Sequence, residues 1–220
     1  MTSPLRLVAY ERFKSRLFDR TLSPGAFITQ RELCELLDSP MGAVREALKR
    51  LEVEGMIHLL PQRGVQIADI NLRFINEAFH FRLLIEQEAV RRMASSPDLP
   101  VLRELKSRTT GILARIAAQQ SVDEALLAEG LRVDLDLHVK LVANLGNSLI
   151  RDTYQSIEDR VRLIRLNSTY QSTQLARGMT EHLQIIDALL AGDQTESVAA
   201  LKAHLTTSWR RALGNDEIDR

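Results

Sequence analysis

The feature that most restricts the fold is a change in the spacing of apolar residues near Ile70. Before it, short apolar segments alternate with glycine, proline and small polar residues, which mark turns. After it, apolar residues recur at the helical period without strand-like alternation. We therefore predict a mainly α protein with two domains, a mixed N-terminal domain over residues 1–70 and an all-α domain over residues 71–220.

The N-terminal domain begins with two predicted helices. Apolar residues at helical spacing predict the first over residues 5–20, and Ser23-Pro24-Gly25 then breaks it. Thr29 and Glu32 form a capping-box pattern, in which each side chain satisfies a free backbone donor of the other. A short second helix is expected to follow.

A tight turn, a third helix and a hairpin complete this domain. Asp38-Ser39-Pro40 forms the turn, with Ser39 as the expected N-cap and Pro40 at the first helical position. Residues 57–60 and 65–68 read as two short strands. The order is that of a winged helix-turn-helix, in which the helix after the turn enters the major groove of DNA.

The second domain is predicted to be a six-helix bundle, because its helical segments are separated by short polar or glycine-containing breaks. The predicted helices cover residues 71–95, 98–119, 121–145, 147–168, 171–191 and 193–213.

Four polar residues fall on the apolar faces of three of these helices. They are Asp134 and His138, one turn apart, with His182 and His204 on the last two helices. Burying such groups is costly unless they are paired, hydrogen-bonded or bound to a metal. One carboxylate and three imidazoles suit a divalent ion, with zinc preferred and nickel, manganese or iron also possible. The alternative is that each histidine is an ordinary core residue.

Other polar residues carry less information. Arg82 and Glu86 form an i,i+4 pair that would commonly lie at the surface, although an inward arginine could clamp an acidic effector. His58 lies on a predicted wing strand and His80 lies off the apolar face of the first bundle helix, and both are expected to be structural or solvent-facing. The single cysteine, Cys34, is expected to be a small packing residue.

Bulk composition excludes several classes of protein. Basic and acidic residues balance at 29 each, so DNA binding cannot be argued from net charge. One cysteine excludes an internal disulfide framework, and no apolar stretch approaches the length of a membrane span. We expect a soluble cytoplasmic protein that does not enter a membrane.

Several segments resemble the GntR family of bacterial regulators, specifically its FadR-like branch with the FCD effector domain. The resemblance covers nearly the whole chain and includes the shorter, VanR-type version of the helical domain. The matching segments are LSPGAFITQRELCELL, AVREALKRLEVEGMI, LLPQRGVQIA, FRLLIEQEAVRRMA, DLDLHVKLVANLGNSLI, TEHLQIIDALLAGD and AALKAHL.

This resemblance implies a homodimer on double-stranded, palindromic operator DNA, controlled by a small carboxylic acid. It assigns the metal ligands to the same four residues and DNA contacts to Arg31, Arg45 and the wing at Arg63-Gly64. One departure concerns the start of the recognition helix, where the family usually has a Ser/Thr-Arg-Thr run. Here Pro40-Met41-Gly42 stands in its place, so Met41 and Gly42 face the DNA and the operator is expected to differ.

Three functions are compatible with these patterns. The first is a ligand-responsive, DNA-binding transcription regulator. The second is a helical metalloenzyme that uses the three-histidine, one-aspartate site for hydrolysis, but the sequence indicates no further carboxylate near the four ligands to act as a base. The third, a helical adaptor that does not bind DNA, would leave the buried histidines unexplained. We predict the first, a non-enzyme.

Overall fold

A computed structural model describes residues 4–118, 122–167 and 172–214, which form two compact units. The first unit contains the described residues up to Phe74 together with Arg162–Asn167. The second contains Ile75–Val161 and the described residues from 172 onward.

The first unit has the predicted winged helix-turn-helix fold. Its elements are α1 (Pro4–Phe18), β1 (Phe27–Ile28), α2 (Gln30–Leu36), α3 (Met41–Val53), β2 (Ile57–Leu60) and β3 (Gly64–Ile67). The strands form an antiparallel sheet in the order β1-β3-β2, with Phe27 opposite Gln66 and Leu60 opposite Gly64. The two-residue strand β1 was not predicted, because its alternation is too short to recognise.

The packing of this unit fixes the turn between α2 and α3. The core is formed by apolar side chains of α1, α2, α3 and the sheet, among them Phe13, Leu33 and Leu48. From α1, Nη1 of Arg12 donates to the backbone oxygens of Leu37 at 2.7 Å and Asp38 at 2.5 Å. The turn therefore depends on a cation that satisfies carbonyl groups left open at the end of α2.

The structure confirms one predicted helix cap and corrects another. Thr29 and Glu32 form the capping box, with each side chain bonded to the backbone N–H of the other. The expectation that Ser39 caps α3 is wrong, since Pro40 occupies the N-cap position. The Ser39 hydroxyl instead donates to the carbonyl oxygen of Leu37 at 2.8 Å. The extended backbone of Pro40, with φ −67° and ψ 148°, suits an N-cap because proline fixes φ near that value.

In the part of the chain that the structure describes, six helices form the bundle of the second unit, apart from the start of α4 and the end of α7, which belong to the first. They are α4 (Leu72–Ser95), α5 (Leu99–Ala118), α6 (Glu124–Ala143), α7 (Ser148–Asn167), α8 (Ser172–Leu190) and α9 (Gln194–Ala212). The predicted bounds agree to within a few residues; the predicted positions 119–121, 168, 171 and the last residues of the chain lie outside the described ranges. Asp123 and Asp193 cap α6 and α9 with their carboxylates.

Within the described ranges of the bundle, the core consists of two apolar clusters. The smaller contains Val133 of α6 with Leu175 and Met179 of α8. The larger includes Leu137 of α6 and Ile185 of α8. On α6, Asp134 follows Val133 of the smaller cluster, and Leu137 of the larger cluster comes next. On α8, His182 lies between Met179 of the smaller cluster and Ile185 of the larger one. A polar layer thus lies between two apolar ones.

Candidate functional site

Four side chains from three helices meet in the polar layer of the bundle. Asp134 and His138 come from α6, His182 from α8 and His204 from α9. Each offers a ligand atom within 4.8 Å of the other three, and all four residues are buried. The structure thus brings together the four residues that the sequence singled out.

The ring nitrogens in this cluster are close together. Nε2 of His182 lies 3.2 Å from Nε2 of His204 and 3.4 Å from Oδ1 of Asp134. The ring of His138 lies 5.1 Å from that of His182 and 5.3 Å from that of His204, measured between centroids. These separations leave the four ligand groups around one common point.

A buried carboxylate on α4 fixes the orientation of His138. Oε2 of Glu86 accepts a hydrogen bond from Nδ1 of His138 at 2.7 Å. Its Oε1 accepts from Nε of Arg82 and from the Tyr154 hydroxyl, both at 2.6 Å. Since an ionised carboxylate can only accept, Nδ1 carries the ring hydrogen and Nε2 keeps its lone pair. Nε2 is buried and has no hydrogen-bond partner among the described residues.

Glu181 orients His204 in the same way. Its Oε2 lies 2.7 Å from Nδ1 of His204, while Oε1 accepts from Nη2 of Arg211 at 3.2 Å. Nε2 of His204 therefore also presents a lone pair, toward His182. Carboxylate–histidine pairs of this kind are the usual outer support of metal ligands, because they fix the ring and raise the basicity of its free nitrogen.

This donor set fits a divalent cation. Two imidazole lone pairs and the Asp134 carboxylate converge in a buried layer, and a cation would satisfy all of them. Burial is the main reason that the pKa of His138 is lowered to about 4. The charge of Arg82 lowers this pKa further, whereas the charge of Glu86 acts to raise it. The ring is therefore neutral near pH 7, as a metal ligand must be.

Arg82 and Glu86 form a buried ion pair beside this cluster. Burial alone would raise the pKa of Glu86, but the charge of Arg82 and the hydrogen bonds from His138 and Tyr154 hold that pKa well below its usual range. Burial alone would lower the pKa of Arg82, but Glu86 and Tyr154 more than offset this and raise it. Arg82 is only 2% exposed, and its Nη1 has no hydrogen-bond partner in the described part of the chain.

Two further carboxylates lie near the four ligands, but neither is placed as a general base. Glu86 was noted only as half of an ion pair, and Glu181 was not singled out at all. Both contact Nδ1, on the side of the ring away from the ligand nitrogen. At that position a carboxylate orients the ligand and does not face a metal-bound water.

The predicted DNA-contacting residues lie on exposed surfaces of the first unit. Met41, Gly42 and Arg45 are exposed along the first turns of α3, and Arg31 is exposed on α2. Nε of Arg45 donates to Oε1 of Gln30 at 3.1 Å, a partner that sequence reasoning missed. This contact links the guanidinium to the start of α2.

The wing turn depends on a glycine. Gly64 has φ +98°, and a Cβ atom built there would lie 2.7 Å from the carbonyl oxygen of Ile28. Neither the backbone angle nor the space suits another residue, so glycine is required. The turn presents the exposed side chain of Arg63 to solvent.

Comparison with known proteins identifies the chain. Residues 5–67 match the bacterial regulatory proteins of the gntR family, and residues 77–207 match the FCD domain. The chain is a GntR-family regulator with an FCD domain. Its predicted class, a DNA-binding transcription regulator, is thereby confirmed.

This GntR-family regulator is 28% identical to the Nta operon transcriptional regulator of Aminobacter aminovorans over 193 residues, which cover 86% of each chain. It is 25% identical to the HTH-type transcriptional repressor RspR of Escherichia coli, over 93% of this chain and 87% of that protein. Its fold matches that of E. coli McbR/YncC with a TM-score of 0.77 at 18% identity, covering 97% and 99% of the two chains.

These comparisons also decide against the metalloenzyme alternative. The matching families and the relatives named above are transcription regulators, not enzymes. None of the helices in the described ranges is both long enough and apolar enough to cross a membrane.

Proposed function

We propose that this regulator responds to a small organic acid bound at a divalent metal in its helical domain. The observation that carries the proposal is the buried cluster of Asp134, His138, His182 and His204. The lone pairs of the ring nitrogens and of the Asp134 carboxylate lie close together in this cluster, an arrangement that a bound cation would stabilise. In a chain with a DNA-binding domain, such a site is suited to sensing.

The metal would be held by Nε2 of His138 and of His204, with His182 and Asp134 completing the set. Zinc is our first choice for three imidazoles and one carboxylate, and nickel, manganese or iron would also fit. When bound, the ion supplies a Lewis-acidic centre that can accept one or two oxygens from an added ligand. Glu86 and Glu181 keep the rings in place and hold a hydrogen on each Nδ1.

The second contact to the acid would come from Arg82. Its Nε is occupied by Glu86, whereas its Nη1 is buried without a partner among the described residues. A buried donor without a partner is unfavourable, and an incoming carboxylate would satisfy it with a charge-assisted hydrogen bond. The effector class we propose is therefore a small carboxylic acid.

The DNA-binding function is assigned to residues 1–70, and metal binding, effector binding and dimerisation to residues 71–220. We propose that a homodimer binds a palindromic operator in the cytoplasm. The contacts come from the exposed ends of α2 and α3 and from the wing, through Arg31, Met41, Gly42, Arg45, Arg63 and Gly64. Met41 and Gly42 lack hydrogen-bonding side chains. Recognition at the start of the helix would therefore depend largely on the shape of the DNA and on the methyl groups of thymine.

A two-part experiment tests the proposal. Mobility shift on the DNA upstream of the chain's own gene, at fixed salt, measures operator binding with and without candidate acids. Calorimetry then compares acid binding by zinc-loaded and metal-free protein. We expect a specific complex whose affinity changes with the acid, and acid binding that requires the metal. An acid that binds metal-free protein equally well would contradict the metal-bridged site.

A further inference from the structure

The charges buried around the candidate metal can be counted. Among the described residues, three charged ones are more than nine-tenths buried: Arg82, Glu86 and Asp134. Asp134 is one of the four candidate ligands, Arg82 and Glu86 form the ion pair beside them, and the three charges sum to one negative. Glu158, whose charge acts on Tyr154, is only partly buried and is not among them. The three imidazole ligands are neutral when they bind a metal. A divalent ion therefore brings the buried site to a net charge of plus one.

Glu181 does not alter this balance. Its side chain is 16% exposed and is paired with Arg211, which is 12% exposed, and with Arg177. Both the pairing and the access to solvent offset its charge. It therefore serves as a comparison for Glu86, since each carboxylate supports one histidine of the same cluster.

We propose that this balance selects a monoanion: the effector carries one carboxylate, and the remainder of the molecule is uncharged. This inference rests on the proposed metal and acid site and narrows its ligand class. One negative charge brings the buried site to neutrality. A second carboxylate would be buried without a counter-charge, which is strongly unfavourable.

The position of Arg82 agrees with this selection. Glu86 already offsets the charge of Arg82, since Nε of Arg82 and Oε1 of Glu86 are 2.6 Å apart. Its open Nη1 can donate one hydrogen bond to the acid, but its charge is shared with Glu86. The pair therefore offers a directed donor without adding a net positive charge.

The test uses acids matched in carbon number that differ in charge. Propionate and malonate form one pair, butyrate and succinate a second, and 2-hydroxybutyrate and malate a third. Affinity is measured by calorimetry on zinc-loaded, full-length protein near neutral pH, and retained zinc is measured afterwards to exclude chelation. In the pairs that bind, we expect the monoanion to bind at least about tenfold more tightly than the dianion.

Charge variants provide the second arm. Glu86→Gln adds one positive charge to the buried site, so the preference should move toward the dianion by about tenfold or more. The double change Arg82→Gln with Glu86→Gln restores the original balance and should return the preference to the monoanion. Glu181→Gln weakens support of a metal ligand to a similar extent, but should leave the preference unchanged.

The outcomes separate this inference from the proposed function. If wild-type protein prefers dianions, or if Glu86→Gln and Glu181→Gln shift the preference equally, the charge balance does not select the ligand. If zinc binds but no acid of either charge does, the acid effector itself is wrong, and this inference falls with it. If Glu86→Gln fails to fold, the wild-type comparison decides alone.

Discussion

A single methyl group added at Gly130 should disturb the metal centre from one helical turn away. Gly130 lies on α6, four residues before Asp134, where α8 approaches closely. A Cβ atom built at this position would lie 2.7 Å from both Cδ1 and Cδ2 of Leu175. Leu175 is completely buried in the smaller apolar cluster, so its side chain cannot move aside freely. We expect Gly130→Ala to push α8 away from α6.

The magnitude follows from a comparison with Gly111. This glycine lies inside α5, and a Cβ atom there would have no described atom within 4 Å. Replacing either glycine with alanine favours the helix by about 0.5–1 kcal/mol. Overpacking at Gly130 should cost about 1–3 kcal/mol against this gain. The free energies of unfolding of Gly130→Ala and Gly111→Ala should therefore differ by roughly 1–3 kcal/mol.

Denaturant unfolding of the metal-free variants, followed by fluorescence, measures this difference. Trp209 is the single tryptophan and stacks on Phe79 within the second unit, so its emission reports on that unit. Gly130→Ala should also bind zinc more weakly, because metal–ligand distances tolerate only about 0.2 Å of error. If the two variants had equal stability and equal zinc affinity, the close approach of Gly130 to Leu175 would not determine the geometry of the metal site.

Three further predictions follow from the same structure. The purified protein should hold about one divalent ion per chain and melt at a lower temperature after chelation. The ligand assignment would be contradicted if the His182→Ala and His204→Ala proteins kept full metal content and the wild-type melting temperature. Arg45→Ala should weaken operator binding by about 1–3 kcal/mol at fixed salt. The control, Arg103→Ala, replaces an exposed arginine on α5 and should leave operator binding unchanged. Equal effects of the two substitutions would show that Arg45 does not contact the operator. Gly64→Ala should destabilise the wing by about 1–3 kcal/mol, because Gly64 has a φ of +98° and lies against the carbonyl oxygen of Ile28. Thermal unfolding measures this effect, and an unchanged melting temperature would show that the turn can accommodate alanine.

Helical periodicity made most of the fold predictable from the sequence. The six bundle helices produce strong repeats, and the capping box at Thr29 needs only residues that are adjacent along the chain. Ser39 was misassigned because Ser39 and Pro40 both favour the start of a helix, and the local sequence does not fix the residue at which α3 begins. The strand β1 was missed because two residues carry no periodic signal, and its partner β3 is distant in the sequence.

The metal ligands could be predicted from the sequence, whereas the roles of the residues that support them could not. Asp134, His138, His182 and His204 interrupt apolar faces, which the sequence alone reveals. Tyr154 and Glu181 lie on helices with other polar residues nearby, and only the packing of the helices brings them to Glu86 and His204. Residues that act through another residue leave no periodic trace, so their roles depend on tertiary structure.

The arrangement of the support explains how one small ligand could influence most of the bundle. The metal ligands connect α6, α8 and α9, and Glu86 extends the same hydrogen-bonded network to Arg82 on α4 and Tyr154 on α7. Packed interiors respond to such changes by switching between discrete arrangements rather than by gradual deformation. An acid that engages Nη1 of Arg82 would alter the pairing of Arg82 with Glu86, and with it the support of His138. Because α4 begins at Leu72, shortly after β3 ends at Ile67, the helix that carries Arg82 is also the one joined directly to the wing. We therefore expect α4 to be one element through which the state of the metal centre reaches the DNA-binding unit. The other is α7, which carries Tyr154 and whose residues Arg162–Asn167 belong to that unit.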